Sequence, residues 1–237
     1  MELQTSKYPS VEAFKKYLHL HRAMRDRFKL PMTEDEAYQL LMIALKTEVS
    51  YRYRIFRCNE ELEQQVSQIA RWLTGDSSKF GLLLCGECGN GKSTILKALQ
   101  QLFNFLLLPI PDTYDHYSIV IIDSKQISYL GKKDYAEIIR LSKITMLGID
   151  DMGIEPAEVM EYGNSVTPMI DLLTKRYDRQ LFTIITTNLS PKQIREHYGS
   201  RIADRFNEMM EKVIFINGSY RCDSNLQIKN ENSEIII

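Results

Sequence analysis

The chain has 237 residues, 44% hydrophobic and 26% charged, the balance of an ordinary globular protein, which excludes wholesale disorder. Thirty Lys and Arg against 31 Asp and Glu leave a net charge of −1, so bulk charge does not coat nucleic acid and any such contact needs a local patch. Four scattered cysteines (Cys58, Cys85, Cys88, Cys222), no apolar run near the ~20 residues of a membrane span and no basic-then-apolar leader predict a cytoplasmic protein without a membrane partner.

Residues 1–50 carry two helical patterns. Val11, Phe14, Tyr17 and Leu18 recur at three-to-four spacing, as do Ala37, Leu40, Leu41, Ala44 and Leu45. Thr33 followed by Glu36 spells a capping box, which starts the second helix near residue 34. Residues 51–58 alternate aromatic residues with Arg52, Arg54 and Arg57. As a strand they would gather arginines toward one face and aromatics on the other, a surface suited to nucleic acid; as a linker they would pack their aromatics on a core. Leu62, Val66, Ile69, Ala70 and Leu73 predict a helix from Glu60 to Gly75.

Beyond Gly75 the rhythm changes. Apolar runs at Phe80–Cys85, Ser118–Asp123, Ile144–Asp150, Leu181–Thr187 and Lys212–Ile216 alternate with helical stretches after Gly91, Ser124, Tyr162 and Pro191. Continuous apolar strands are buried on both faces, as in parallel sheets, so the pattern predicts a doubly wound α/β fold. Ligands of such sheets bind at the carboxyl ends of the strands.

The first of those ends reads Gly86-Glu87-Cys88-Gly89-Asn90-Gly91-Lys92-Ser93, a complete G-x-x-x-x-G-K-S between a strand and the amphipathic helix that begins at Thr94. Glycines let the backbone wrap its N–H groups around phosphate oxygens, and the helix N-terminus adds donors and positive dipole. Lys92 would reach the β- and γ-phosphates, and the Ser93 hydroxyl would ligate Mg²⁺. Cys85 and Cys88 also form a C-x-x-C, but no second pair or His partner accompanies it, and the phosphate loop accounts for the segment.

The third apolar run ends in Asp150 and Asp151. Asp150 fits a Mg²⁺-bound acid, and Asp151 is placed to orient or deprotonate an attacking water. The fourth run ends Thr186-Thr187-Asn188. Asn188 falls between loop and acids if its strand is their neighbour. Arg201 and Arg205 are four residues apart, on one helical face. They are either a solvated basic face or, in an oligomeric ATPase, an arginine finger for the neighbouring protomer.

The ordered set GECGNGKS (86–93), LGIDDMGIEP (147–156), TIITTNLSP (183–191), GSRIADRF (199–206) and FINGSYR (215–221) resembles the AAA+ ATPases of the DnaC/IstB-like group. The likeness covers residues 57–221, and the S-Y-R ending points to the DnaC-type helicase loaders within the group. It implies a five-stranded parallel sheet between helices, ATP or ADP with Mg²⁺ as ligands, and assembly into a ring or spiral. It makes Gly86 through Thr94 the nucleotide loop, Asp150 and Asp151 Walker B, and Asn188 sensor 1. Arg205 is the preferred finger over Arg201, and Arg221 takes the place of a nucleotide-contacting arginine. It also implies single-stranded DNA contacts after the second strand, where Ser124, Lys125, Lys132, Lys133, Arg140 and Lys143 lie. Residues 1–56 are then a helical extension that grips the replicative helicase, 57–221 the ATPase core, and 222–237 a tail too short for a helical lid.

Two departures bear on function. Hydrolases of this kind usually carry Glu where Asp151 stands, one methylene longer, so slow turnover is expected without a partner. No family pattern fits residues 1–56. The leading expectation is therefore a helicase loader, with two alternatives: an IstB-like transposition ATPase on duplex DNA, and a nucleotide-switched adaptor that hydrolyses little.

Overall fold

The computed structural model describes residues 10–21, 27–111, 113–156, 159–161 and 164–220. The N-terminal patterns form helices α1 (Val11–His21) and α2 (Glu34–Tyr51). The capping box closes as the spelling predicts: Thr33 N–H donates to Glu36 Oε2 at 2.8 Å and Glu36 N–H to Thr33 Oγ1 at 3.2 Å. Helix α3 (Glu60–Thr74) opens on Asn59, whose side chain accepts from Leu62 N–H.

The five apolar runs build one parallel sheet from β1 (Gly81–Gly86), β2 (Val120–Asp123), β3 (Met146–Met152), β6 (Phe182–Thr187) and β7 (Met210–Phe215). Their order is β2-β3-β6-β1-β7. Helix α4 (Lys92–Leu106) crosses from β1 to β2, and α5 (Ser124–Lys133) and α6 (Tyr135–Leu141) from β2 to β3. Helix α7 (Pro168–Asp178) leads into β6, and α8 (Pro191–Met209) joins β6 to β7.

One expectation is corrected between β3 and α7. The sequence predicts a helix directly after Tyr162, yet an antiparallel pair, β4 (Val159–Glu161) and β5 (Asn164–Val166), lies there. The helix waits for Pro168, whose fixed φ suits a first turn and whose missing N–H is not needed there.

Alternation along β1 divides the core. Leu82 and Leu84 face a layer that contains Ala37, Leu41, Leu45, Val66, Ile69 and Leu99. Leu83 and Cys85 face Ile127, Ile138, Leu172 and Ile202 from α5 to α8. The expected boundary at residue 56 therefore cuts through packed core: α2 buries its apolar stripe against α3 and α4, as one stripe of an amphipathic helix must. Helix α1 differs, with Val11, Phe14, Tyr17 and Leu18 all exposed.

At the end of the sheet remote from the phosphate loop, the fully buried Arg176 of α7 acts as a polar pin. Its Nε donates to Thr183 Oγ1 at 2.9 Å, and its terminal nitrogens to the carbonyls of Leu141, Ile144 and Phe182 at 3.0, 2.7 and 2.6 Å. The edge strand β7 is shielded by α3: Gln65 and Gln68 donate to the Ile214 and Lys212 carbonyls, which blunts an open template for strand pairing. Among the described residues no helix is long and apolar enough to cross a membrane.

Candidate nucleotide-binding site

Strand β1 delivers Gly86 to the carboxyl edge of the sheet, and α4 starts at Lys92. Between them Gly89 and Gly91 take φ of +85° and +97°, conformations an L side chain strains to adopt. At Gly86 space is missing too: a Cβ would lie 2.3 Å from the Phe215 carbonyl oxygen. The loop is fastened to β7 by the buried Asn90, whose Nδ2 donates to that same carbonyl at 3.1 Å.

Lys92 is buried beneath the loop. Its Nζ donates to the carbonyls of Gly86 and Glu87 at 2.8 and 2.7 Å, to Asn90 Oδ1 at 3.0 Å and to Asn188 Oδ1 at 2.8 Å. Burial pushes the ammonium below the usual lysine range, while the charges of Asp151 and Asp150 act against the shift. Glu87 and Cys88 are exposed, Ser93 is half-buried, and Thr94 is buried in the first turn of α4. Cys85 lies inside β1, where burial pushes its thiol up to about 11, and no disulfide joins it to Cys88.

Strand β6 runs between β3 and β1, which sets Asn188 between the acids and the loop, as the neighbour-strand expectation requires. Thr186 organises the acids. Its hydroxyl donates to Asp150 Oδ1 at 2.6 Å and accepts from Asp151 N–H at 2.8 Å. The β3–β6 register slips between Ile149 and Met152, and at the slip Asp151 takes a φ of +55°. Ser124 Oγ donates to the Asp151 carbonyl and Thr187 Oγ1 to that of Met152, which holds the bulge. Asp151 thereby lines the cavity, with Asp150 tied to Thr186 beside it.

The cavity has a volume of ≈ 490 Å³, within the range of small-ligand sites. Its polar end holds Lys92, Ser93, Asp151 and Asn188, and its apolar end Leu45, Val49, Phe56 and Leu62. Sequence reasoning missed this apolar end and the arginines beside it. Residues 51–58 do not form the strand considered for them; α2 ends at Tyr51, and Phe56 packs on the core while Arg52, Arg54 and Arg57 line the cavity. The Tyr-Arg alternation is the available signal, and its linker reading holds only for Phe56, since Tyr51 and Tyr53 are exposed. The chain after β7 returns to the phosphate loop: Tyr220 N–H donates to the Gly89 carbonyl at 2.9 Å, and Arg54 donates to the Tyr220 carbonyl at 3.2 Å.

Among the described residues no cluster of three or more His, Cys, Asp or Glu could hold a metal unaided. Ser93 and Asp150 instead suit a magnesium ion that arrives with phosphate oxygens, the usual habit of that ion.

No family model and no curated protein matches the sequence. Among solved structures the chain is similar to the DnaC helicase loader, at 20% identity and a TM-score of 0.51, over 68% of this chain and 93% of that one. It is also similar to DnaI, at 18% identity and a TM-score of 0.50, over 73% and 93% respectively. The chain has the DnaC-like AAA+ fold.

Within this AAA+ fold the two arginines of α8 fare differently. Gly199, with a φ of +85°, kinks α8, and both arginines follow the kink. Arg205, the preferred finger, is engaged: it donates to Thr174 Oγ1 at 2.5 Å, lies 3.8 Å from Asp178 and stacks 5.0 Å above the Tyr177 ring. Arg201 is exposed and has no hydrogen bond or ion pair among the described residues. The segment after the acids reaches the same kink, because the buried Glu155 accepts from both Gly153 N–H and Tyr198 Oη–H. Burial, then this bond, pushes the Tyr198 phenol far above its usual range. Lys125, Lys132, Lys133, Arg140 and Lys143 are exposed on and beside α5 and α6; Arg140 is paired with Glu137 at 2.8 Å, and Lys133 lies 4.8 Å above the Tyr129 ring. Arg221 and the tail 222–237 lie outside the described residues.

Proposed function

We propose that the chain is an ATP-binding and ATP-hydrolysing helicase loader that assembles with copies of itself. The observation that carries this reading is the single cavity where a buried lysine in a glycine loop, an acid on a strand bulge and a strand-end asparagine meet beside an apolar wall. The helicase and single-stranded DNA parts draw on the likeness to the DnaC helicase loader and on the basic α5–α6 face. The exposed Tyr129 beside Lys133 supports that face, since single strands bind through stacked bases and backbone-tracking charge.

In this reading the loop N–H groups and Lys92 hold the phosphates. Lys92 exchanges the carbonyls of Gly86 and Glu87 for phosphate oxygens. Ser93 and Asp150 would hold a magnesium ion, which would supply positive charge against the phosphate chain. Asp151, kept on the cavity wall by the bulge, orients the attacking water and takes its proton as the water oxygen bonds to the γ-phosphorus. Asn188 orients the same water, and the bond to the β-phosphate oxygen breaks in line. Arg201 of a neighbouring protomer supplies the charge that stabilises the transferred phosphoryl group.

Asp151→Asn is expected to keep ATP bound and to slow turnover by about 10²-fold or more, the usual share of a positioned base. Unchanged turnover in a phosphate-release assay removes Asp151 from that role. The adaptor reading draws on the same residue, whose carboxylate stands one methylene short; it predicts ATP binding with negligible turnover even in the assembled wild type.

Arg201→Ala is expected to leave ATP binding intact and to lower turnover of the assembly by about 10³-fold, the lower range for arginine fingers. Arg205→Ala should instead lower the unfolding midpoint, because Arg205 is spent on α7. The reverse pattern restores Arg205 as the finger. Reversing the charges of Lys132 and Lys133 should weaken single-strand binding and flatten its salt dependence. An unaltered slope moves the DNA face elsewhere.

A further inference from the structure

Arg52 stands where two helix ends meet. Its backbone caps the C-terminus of α2, where a cation is favoured by the helix dipole. The guanidinium leaves that position. It reaches the first turn of α4 and donates from Nη1 to Thr94 Oγ1 at 3.1 Å. There the dipole is positive and the ammonium of Lys92 adds a full charge, so a second cation is repelled. Among the described residues no carboxylate pairs with Arg52. Asp151 belongs to β3, whereas Arg52, Arg54 and Arg57 follow α2 along the cavity.

A cation held against a helix N-terminus, on the wall of a cavity, is favourable once an anion bridges the two. Place in the cavity selects the anion. The cavity wall that follows α2 runs from Leu45 through Val49 to Arg52, and the Arg52 guanidinium meets Thr94 in the first turn after the phosphate loop. A nucleotide with its base in the apolar end and its terminal phosphates over Lys92 has its α-phosphate at this point. We infer that Arg52 is a nucleotide-binding residue lent to the site by the N-terminal part of the chain, its guanidinium shared between Thr94 and the α-phosphate. This rests on the nucleotide reading of the cavity and adds a residue outside the glycine loop.

The test is calorimetric titration of the full chain with ADP and with ATP, for wild type, Arg52→Ala and Arg52→Lys, together with the unfolding midpoint of each free protein. Arg52→Ala should weaken ADP and ATP by the same factor, about tenfold, a conservative figure for one charge-assisted hydrogen bond. Its midpoint should not move, and Arg52→Lys should recover part of the affinity. An unchanged ADP affinity overturns the inference. So does a loss confined to ATP, which would aim Arg52 at the γ-phosphate, or a loss that tracks a lowered midpoint. A wild-type chain that binds neither nucleotide overturns the reading of the cavity and this inference with it.

Discussion

Lys92→Ala is expected to weaken ATP and ADP binding by about 10²–10³-fold. The ammonium already sits among four acceptors at 2.7–3.0 Å, so a phosphate chain entering the loop meets a preformed donor. Charge-assisted bonds of this type are worth about 1.5–3 kcal/mol each, and two of them account for the predicted loss. The free protein should change little in stability. It gives up hydrogen bonds, yet it is also relieved of a buried charge that burial already disfavours. Titration calorimetry separates the two effects. Affinity within threefold of wild type would remove Lys92 from the phosphate site.

Arg176→Met is expected to have the largest effect on stability while sparing the nucleotide site. The side chain is fully buried and has no carboxylate partner among its contacts; it satisfies three carbonyls and one hydroxyl at once. Burial, helped by the charge of Arg179, pushes the guanidinium down to about 9, so it stays charged at neutral pH. Methionine fills much of the volume and leaves those acceptors unpaired, at about 3–5 kcal/mol and a fall in midpoint of ~10 °C. Arg176→Lys should not rescue, because one ammonium does not reproduce the planar fork. A midpoint unchanged in thermal denaturation would show that water or neighbouring groups replace the pin.

The parts of this molecule that could be read from sequence are those fixed by local demands. The glycine loop needs left-handed backbone at Gly89 and Gly91, and few residues besides glycine supply it. Thr33 with Glu36 closes a cap within three residues, as its spelling predicts. The continuous apolar runs identify strands buried on both faces, and β6 falls beside β1 and β3 as Asn188 requires. What escaped depends on partners remote in sequence. Asp151 meets the cavity because pairing slips between β3 and β6. Arg205 is held by Thr174 and Asp178 of α7, which its spacing from Arg201 does not reveal. Helix α2 joins the core because α3 and α4 supply a surface for it, and Arg52 meets Thr94 across 42 positions of the chain.

In the proposed loader function the exposed apolar face of α1 would dock on a helicase, ATP in the cavity would favour the assembly, and hydrolysis would release it. The most direct measurement is the mass, by light scattering after size exclusion, of the chain mixed with the replicative helicase of its own source organism, with ATP and with ADP. The expected result is a complex whose amount depends on which nucleotide is present and which is lost when residues 1–21 are removed. No complex with either nucleotide, together with ATP-dependent filaments on duplex DNA, would contradict it and turn the reading toward transposition.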